Sequence, residues 1–366
     1  MAKQLPLSEF HKSNGAAFGE RDSWSVPLHF GNPQAEYDAV RHHVGLMDFS
    51  DRGFLEFTGP DRASYLQGMI SNDLRNLLPG QGLYATLLNV QGKVLGDTRV
   101  FCTADSFLLD LWEPIKEKIL NHLNRYLVAD EVEITDLTEQ YGLISAQGPK
   151  SAAFLQQLVE PSALPQRPFD HSVVQIDGAQ VRIVRYSHSG HAGFDLFIPK
   201  GDLTHLAQWM TDIGRGYRAR WVGEQVQEVL RVEAGIPRYG IDFNEDHLLL
   251  ETGLDHAVSF TKGCYLGQEV VERIHSRGHV NKKLTGLLLE GQTEAKSGNR
   301  ITSANKEVGI ITSSVNSPTL KRGIAMGYLH HDFWSPGTAV EVVRDGSVIP
   351  ARVTSLPFVR WETDRA

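Results

Sequence analysis

Hydrophobic positions along the chain recur with two spacings, one typical of helices and one typical of strands. Apolar residues three or four positions apart predict amphipathic helices over 114–127 and 224–233. Alternating or short continuous apolar runs predict strands over 54–57, 83–88 and 94–101. Helices and strands in this mixed order indicate an α+β fold in which helices pack on one face of the sheets.

The pattern changes in the last part of the chain. Short strands separated by Gly, Asn, Asp and Pro turns are predicted at 284–289, 308–313, 324–328, 339–343 and 347–355. No long helix interrupts them, which predicts a separate all-β domain, a sandwich or barrel. We therefore divide the chain into residues 1–280, which form two intertwined α+β subdomains, and residues 281–366, which form a barrel-like C-terminal β-domain.

One strand–helix unit is predicted to occur twice. The segment that starts at Gly148-Pro149 repeats the order of residue types that starts at Gly59-Pro60, with Ala, an aromatic residue, Leu and Gln at matching places. Two copies indicate an internal duplication within one large domain, and not a solenoid. The alternative is chance similarity between two helices that both begin after Gly-Pro.

Composition and charge exclude several classes of protein. The chain has 366 residues, 41% of them hydrophobic, and a formal net charge of −8, which argues against stable binding of nucleic acid. Two cysteines make neither a disulfide framework nor a four-cysteine metal site. No apolar run approaches the roughly 20 residues that span a bilayer, and the first residues lack the features of a targeting peptide. We expect a cytoplasmic protein.

One stretch combines a thiol, an ammonium group and a helix start: Lys262-Gly263-Cys264-Tyr265-Leu266-Gly267-Gln268-Glu269. Good helix formers follow Gly267, and a helix N-terminus together with a nearby lysine would favour the thiolate form of Cys264. The sulfur would then be nucleophilic or metal-binding. The alternative is a small buried side chain at a turn, since free cysteines are often inert core residues.

This stretch resembles the Lys-Gly-Cys-Tyr-x-Gly-Gln-Glu signature of the YgfZ family, which is related to the glycine-cleavage T-protein, an aminomethyltransferase. Segments 45–50, 230–235 and 324–328 are similar to the T-protein itself, and the resemblance covers nearly the whole chain. It implies three domains in a ring around a central channel that holds tetrahydrofolate. Residues 1–280 would then be the folate-binding region, and residues 281–366 the aminomethyltransferase-like C-terminal domain.

The hairpin that carries the catalytic aspartate of the T-protein is altered here. The T-protein has Gly-Gly-x-x-Asp-Asp, whereas this chain has Gly92-Lys93-Val94-Leu95-Gly96-Asp97. The alignment places Gly96 at the catalytic position and leaves Asp97 as the remaining carboxylate. Asp97 is the candidate for catalysis, provided that the alternation of side chains along the strand turns it into the channel.

The resemblance places further residues around the folate. Arg231 would clamp a carboxylate with its guanidinium group, or would form a structural pair with Glu233 or Asp242. Tyr84 would stack on the pterin, or would pack in the core. Tyr239 belongs to a Tyr-Gly pair that matches the T-protein, and it is assigned to the same channel.

A second loop of the T-protein, Gly-Tyr-Thr-Gly-Glu-Asp-Gly-Phe-Glu, supplies a glutamate that binds the pterin. Residues 190–195 of this chain lack that glutamate. Asp195 or a backbone carbonyl would replace it, because a pterin presents hydrogen-bond donors to such an acceptor. His191, in the same loop, is the remaining candidate for folate binding.

These departures predict a tetrahydrofolate-binding protein of the YgfZ type, which supports assembly or repair of iron–sulfur clusters in client enzymes, including tRNA-modifying enzymes. Cys264 would be the reactive thiolate, and Lys262 would tune it or contact the anionic folate tail. The partners would be folate and iron–sulfur client or carrier proteins. The alternative is a tetrahydrofolate-dependent aminomethyltransferase or methyltransferase of the T-protein type that uses Asp97. The histidine pairs lack metal-ligand spacing, so no metal site is expected.

Overall fold

The computed structural model describes residues 2–278 and 280–361, except for the side chain of Arg277. In chain order, the elements of the first part are β1 (Lys3–Gln4), α1 (Ser8–Ser13), β2 (Ala17–Arg21), β3 (Trp24–His29), α2 (Pro33–His42), β4 (Gly45–Asp48), β5 (Arg52–Thr58), α3 (Arg62–Met69), β6 (Gly82–Leu88), β7 (Val94–Cys102), β8 (Phe107–Trp112), α4 (Lys116–Tyr126), β9 (Glu133–Asp136), β10 (Tyr141–Gln147) and α5 (Ser151–Leu155). Those of the second part are β11 (His171–Ile176), β12 (Ala179–Arg185), β13 (Gly193–Pro199), α6 (Lys200–Gly214), β14 (Arg220–Trp221), α7 (Glu224–Glu233), α8 (Gln268–Arg277), β15 (Lys282–Leu289), β16 (Arg300–Ser303), β17 (Lys306–Ser317), β18 (Arg322–His330), β19 (Ala339–Arg344) and β20 (Ser347–Thr354).

Two larger sheets share one connection order. Sheet A has the order β6-β7-β8-β5-β9, and sheet B has the order β11-β12-β13-β10-β4-β14. In each, a strand leads into a short helix, then a hairpin, then a strand that returns beside the first, then a longer helix. This repeat of topology supports the predicted internal duplication.

The two Gly-Pro turns have the same structural cause. Gly59 and Gly148 adopt φ angles of 97° and 120°, which only glycine tolerates well. A Cβ atom at Gly59 would lie 2.1 Å from the carbonyl oxygen of Glu131, and one at Gly148 would lie 2.6 Å from that of Val40. Both glycines are therefore required where the chain passes close to another backbone at the start of a helix.

Sheets A and B face each other across a seam that is part apolar and part ionic. Phe54 of sheet A stacks on Phe197 of sheet B with ring centroids 4.7 Å apart, within one buried cluster. Beside them, Arg99 on β7 pairs with Asp110 on β8 and with Asp195 on β13. All three charged side chains are almost fully buried. The ion pairs therefore join the two sheets where they line the central cavity.

The C-terminal strands close into a six-stranded barrel, β15-β18-β17-β16-β19-β20, that docks on α7. Val232 of α7 packs among barrel residues, and Glu233 accepts hydrogen bonds from Tyr37, Arg41 and the barrel residue Ser317. After α7, Asp242 accepts hydrogen bonds from barrel residues Thr312 and Ser313 at 2.6 and 2.7 Å. Two buried carboxylates thus hold the barrel in place.

The predicted α+β fold with a C-terminal barrel is confirmed, and the differences are local. The sequence pattern did not predict β1, β2, β3 and α1, because the first residues are mostly polar. Leu5, Trp24 and Val26 form a small core there, while Leu7 and Phe10 join a larger one. The sequence pattern also missed β16, which has four residues. Helix α2, which the sequence analysis did not include, begins at Pro33 because Asn32 caps it by accepting from the Ala35 N–H at 3.1 Å.

Over residues 2–278 and 280–361, no helix combines the length and the apolar character that a membrane crossing requires.

The buried anchor at Asp242 generates a prediction about stability. The carboxylate of Asp242 accepts hydrogen bonds from Arg231, Thr312 and Ser313. Asp242→Asn replaces it by a neutral amide and breaks the buried ion pair with Arg231, which should lower the free energy of unfolding by about 3–5 kcal/mol. Urea unfolding followed by fluorescence measures the loss, with the exposed Asp345→Asn as control. A variant that unfolds at the wild-type midpoint would contradict the anchoring role.

A second prediction concerns pH and His171, which lies between the sheets. Its Nε2 contacts the carbonyl oxygen of Cys102 at 2.9 Å, and its Nδ1 accepts from Arg182 at 2.7 Å. Burial lowers its pKa from 6.5 to about 4. Between pH 6.5 and pH 4, His171 is therefore protonated in the unfolded chain but neutral in the folded protein. The free energy of unfolding consequently falls as the pH falls through this range. We expect His171→Gln, which keeps one donor and one acceptor, to show a shallower decline of the unfolding midpoint over that range. If the unfolding midpoint of the variant declines with pH as steeply as that of wild type, His171 does not contribute to the pH dependence of stability.

Candidate active site

A cavity lies between the facing edges of sheets A and B and the segment that follows α7. Its wall carries the charged and aromatic side chains of Arg52, Asp97, Tyr84, Tyr186 and His188. A second cavity shares Tyr84, Tyr186, Ile236 and Pro237 with the first. The two cavities therefore adjoin each other at these residues, and together they are called the channel.

Asp97 faces the channel because of its place on β7. Its neighbour Gly96 faces the opposite side, where a Cβ atom would lie 2.5 Å from the Cδ1 atom of Ile115. Alternation along the strand therefore turns Asp97 to the cavity, whose wall it forms. The Tyr84 hydroxyl donates to Oδ2 of Asp97 at 2.8 Å. A side chain at position 96 would be directed into the core, so position 97 is the one from which a carboxylate reaches a ligand.

The surroundings of Asp97 favour its protonated form. Burial raises the pKa of Asp97, and the nearby Arg52 guanidinium opposes that rise in part. Arg52 donates through Nε to Asp110, and no hydrogen bond of its two terminal nitrogens is found among the described residues. The site therefore combines a carboxyl group that can hold a proton with a guanidinium that has donors to spare. Sequence reasoning missed Arg52, since nothing near it along the chain distinguishes it.

Asp195 is placed behind the channel wall. It accepts from His188 Nε2 at 3.0 Å and from Arg99 at 2.5 Å. Burial alone would raise its pKa, but His188 and Arg99 outweigh this and hold the pKa of Asp195 well below its usual range. The side chain that lines the cavity is His188, which stacks on Phe49 with ring centroids 4.2 Å apart. The expectation that Asp195 binds the ligand directly is therefore corrected: Asp195 positions His188.

Arg231 lines the cavity, yet its guanidinium is fully engaged by protein groups. Its five N–H donors match five contacts. They go to Glu228 through two nitrogens, to Asp242 at 2.7 Å, to the Ser313 hydroxyl at 2.7 Å and to the carbonyl oxygen of Ile236 at 3.1 Å. The structural alternative with Asp242 is thus the one observed, and the predicted carboxylate clamp is wrong because no donor remains.

Tyr84 and Tyr239 both line the first cavity. Tyr84 lies parallel to the His256 ring with centroids 5.1 Å apart, so its hydroxyl meets Asp97 while its face forms an aromatic wall. The Tyr239 hydroxyl accepts from Lys118 at 2.8 Å and its ring packs against Phe243. Both remain candidates for contact with a ligand.

His191 lines the second cavity, within the loop that connects β12 and β13. It is 4% exposed, and within residues 2–278 and 280–361 neither of its ring nitrogens has a hydrogen-bond partner. Burial, assisted by Arg41 and His42, lowers its pKa to about 4, so the ring is neutral at pH 7. Its position agrees with the predicted role in ligand binding, which stays a prediction.

Cys264 and Lys262 lie apart from the channel. Neither is among the residues that line either cavity, and Cys264 is exposed before α8. The Lys262 ammonium group donates to the carbonyl oxygens of Gln67, Ile70 and Asn72, each at 2.7 or 2.8 Å. These contacts fix the loop after α3, and three acceptors use all the N–H donors of a lysine. The predicted roles of Lys262 in tuning the thiol or holding the folate tail are therefore corrected to a structural one.

Potential metal ligands also lie apart from the channel. Among the described residues, one group of three is close enough to hold an ion: His330, His331 and Asp332, whose ligand atoms lie within 4.8 Å of one another. It occupies the turn after β18, on the surface of the barrel. None of the three lines the channel.

Comparison with known proteins agrees over both parts of the chain. The model of the GCVT N-terminal domain matches residues 7–262, and the model of the glycine cleavage T-protein C-terminal barrel domain matches residues 282–360. Similar proteins include the aminomethyltransferase of Rubrobacter xylanophilus, 32% identical over 98% of this chain and 94% of that protein, and that of Bacillus subtilis, 27% identical over 98% and 100%. The crystal structure of the glycine cleavage system aminomethyltransferase T from Bartonella henselae has 27% identity and a TM-score of 0.90 over 99% of both chains.

These comparisons overturn the main function predicted from the sequence. Proteins similar to this chain over nearly its full length carry the name aminomethyltransferase. The expectation of an iron–sulfur maturation factor of the YgfZ type, with iron–sulfur client proteins as partners, is therefore wrong. The cysteine motif suggested it, and the structure places that motif outside the channel.

The structural role of Lys262 predicts that its replacement lowers the stability of the protein but leaves the reactivity of Cys264 almost unchanged. Lys262→Met leaves three carbonyl oxygens without their donor, which we expect to lower the free energy of unfolding by about 1–3 kcal/mol. The rate at which Cys264 reacts with an aromatic disulfide reagent should stay within about twofold, because the ammonium group is engaged elsewhere. Cys102 is buried, so Cys264→Ser gives the background rate. A large fall in thiol reactivity with unchanged stability would favour the earlier assignment.

Proposed function

The chain belongs to the glycine cleavage T-protein family, and from that premise we propose that it is a tetrahydrofolate-dependent aminomethyltransferase whose reaction takes place beside Asp97. The observation that carries this proposal is the carboxyl group of Asp97, which is turned into the channel and accepts a hydrogen bond from the Tyr84 hydroxyl. Burial raises the pKa of this carboxyl group. A carboxyl group in such a place is suited to general acid–base catalysis.

Aminomethyltransferases of this family use tetrahydrofolate as the one-carbon acceptor, which confirms the cofactor predicted from the sequence. The residues of the channel fit such a ligand. A pterin is flat and has hydrogen-bond donors and acceptors along its edge. The first cavity offers Asp97, His188 and the terminal nitrogens of Arg52 between aromatic side chains. These three residues would hold the pterin edge, with Phe49 and Tyr186 beside the ring.

Several residues of this chain would contribute to the transfer. Bound tetrahydrofolate would supply the two amine nitrogens that accept the methylene carbon, while ammonia and a free thiol leave. The two N–H protons of tetrahydrofolate would go to the departing nitrogen and sulfur. Asp97 would take a proton from an amine and pass it to a leaving group. Tyr84 fixes the orientation of the carboxyl group by donating to Oδ2 at 2.8 Å. Burial beside the channel raises the pKa of the Asp97 carboxyl group.

The donor of the one-carbon unit would be an aminomethyl group carried on the lipoyl arm of a partner protein, as in the glycine cleavage system. The second cavity adjoins the first at Tyr84 and Tyr186, and it is the space through which an extended arm would approach Asp97. A transferase that accepts a small methylated amine in place of the lipoyl arm is the second candidate. It uses the same carboxyl group, and comparison of the two donors distinguishes them.

The role of Asp97 generates the test of this proposal. Asp97→Asn keeps the size of the side chain and an acceptor for Tyr84 but removes proton transfer, so we expect kcat for methylene transfer to fall by about 10²–10⁴-fold. The dissociation constant for tetrahydrofolate should change much less. Asp105→Asn, at an exposed turn after β7, is the matched control. Wild-type protein that binds no tetrahydrofolate would refute the proposed function, whereas full activity of Asp97→Asn would refute the role of Asp97 alone.

A further inference from the structure

A turn at the edge of the barrel brings three metal-binding side chains together. Strand β18 ends at His330, and the Phe333 N–H donates to the carbonyl oxygen of His330 at 2.9 Å, which closes the turn. Side chains that are adjacent in a strand point to opposite faces, so the sequence pattern did not predict a metal site here. In the turn this alternation ends, and the ligand atoms of His330, His331 and Asp332 lie within 4.8 Å of one another.

The distances within this group suit a small divalent ion. Nδ1 of His331 lies 2.9 Å from Oδ1 of Asp332, and Nδ1 of His330 lies 3.3 Å from Oδ2 of the same carboxylate. Zinc binds nitrogen and oxygen ligands at about 2.0–2.2 Å in tetrahedral geometry, which separates two ligands by about 3.3–3.6 Å. The observed separations are close to that range, so modest rotations of the side chains would place all three groups around one ion.

The donor atoms determine which kind of ion the group would bind. Imidazole nitrogen suits Zn²⁺, Cu²⁺ and Ni²⁺, whereas Mg²⁺ and Ca²⁺ prefer oxygen ligands. Three protein ligands leave a position of a tetrahedral ion for water. The side chains of His330, His331 and Asp332 are 47%, 35% and 61% exposed. An ion can therefore reach them from solvent without any rearrangement of the fold.

The backbone of the turn is held on both sides, which fixes the positions from which the ligands project. Phe333 and Trp334 pack against the core of the barrel, and Trp334 meets the ring of His331 edge to face. The N–H of His331 donates to the carbonyl oxygen of Asn281 at 3.0 Å, directly before β15. An ion on this turn would consequently also stabilise the point at which the chain enters the barrel, since ligands on a fixed backbone bind with less loss of entropy.

We propose that His330, His331 and Asp332 form a binding site for a divalent transition-metal ion, with Zn²⁺ as the representative ion. The bound ion would stabilise the folded barrel, because it binds the three groups together only when the turn is formed. None of the three residues lines the channel. The proposal is therefore independent of the proposed aminomethyltransferase function and gives the ion no part in that reaction.

Calorimetric titration with zinc chloride near neutral pH, on full-length protein first treated with a chelator, tests the proposal. We expect wild type to bind one ion at this site, and His330→Gln, His331→Gln and Asp332→Asn each to weaken that binding by at least about tenfold. Even the loss of a hydrogen bond to a metal ligand costs that much affinity. All three side chains are partly exposed, so the variants should fold like wild type.

His205→Gln is the matched control. His205 forms an exposed pair with Asp177 at 2.6 Å, so it presents the same two residue types on the surface. Among the residues that the structure describes, no third metal-binding side chain lies close enough to join that pair. The control should bind zinc like wild type. Equal weakening in His205→Gln would show that surface histidines bind zinc without a defined site, and would overturn the proposal.

Thermal unfolding gives a second measurement. An ion that binds only the folded chain raises the unfolding midpoint, so we expect zinc to raise that of wild type and of His205→Gln, and a chelator to reverse the rise. The double variant His330→Gln with His331→Gln should show no rise. The proposal is overturned if wild type binds no zinc, if the histidine variants bind it within twofold of wild type, or if zinc stabilises the double variant as much as wild type.

Discussion

The ionic contact of Arg99 with one aspartate from each sheet is the constraint around which the channel is built. Asp110 belongs to sheet A and Asp195 to sheet B, and Arg99 pairs with both. A buried guanidinium with two carboxylates is stable only while all three groups are present, since an unpaired charge in the interior is costly. The facing sheets are therefore held in one relative position, and that position places Asp97, two residues before Arg99, in the cavity.

The same contact determines which side chains a ligand meets. The carboxylate of Asp195 accepts hydrogen bonds from Arg99 and His188. A ligand therefore meets the imidazole of His188, and not the carboxylate that the sequence predicted. The centre of the Tyr186 ring lies 4.3 Å from the Arg99 guanidinium carbon, and Tyr186, like Tyr84, lines both cavities. Most of the arginines that line the first cavity are engaged by carboxylates of the protein, whereas Asp97 and the terminal nitrogens of Arg52 remain among the groups that can meet a ligand.

The cysteine motif shows how local reasoning fails at a turn. Lysine two residues before a thiol, followed by a helix, is a reasonable setting for a reactive cysteine. The ammonium group of Lys262 instead donates hydrogen bonds to three backbone carbonyl oxygens about 190 residues earlier in the chain. Burying an ammonium group is favourable only with such partners, and the loop after α3 supplies them. Sequence spacing does not reveal that competition.

The sequence by itself determined the features that depend on neighbours along the chain. Apolar periodicity predicted the long helices and most strands, the turn residues predicted the barrel, and the paired Gly-Pro starts predicted the duplicated unit, because each reports a local backbone preference or one buried face. Only the tertiary structure decided which charges are free. Arg99 meets Asp195 across 96 positions and Arg231 meets Ser313 across 82, and an ion pair or hydrogen bond over such a separation depends on how the sheets and the barrel pack. Whether a given arginine binds a ligand or holds the fold is therefore decided by contacts that no local pattern contains.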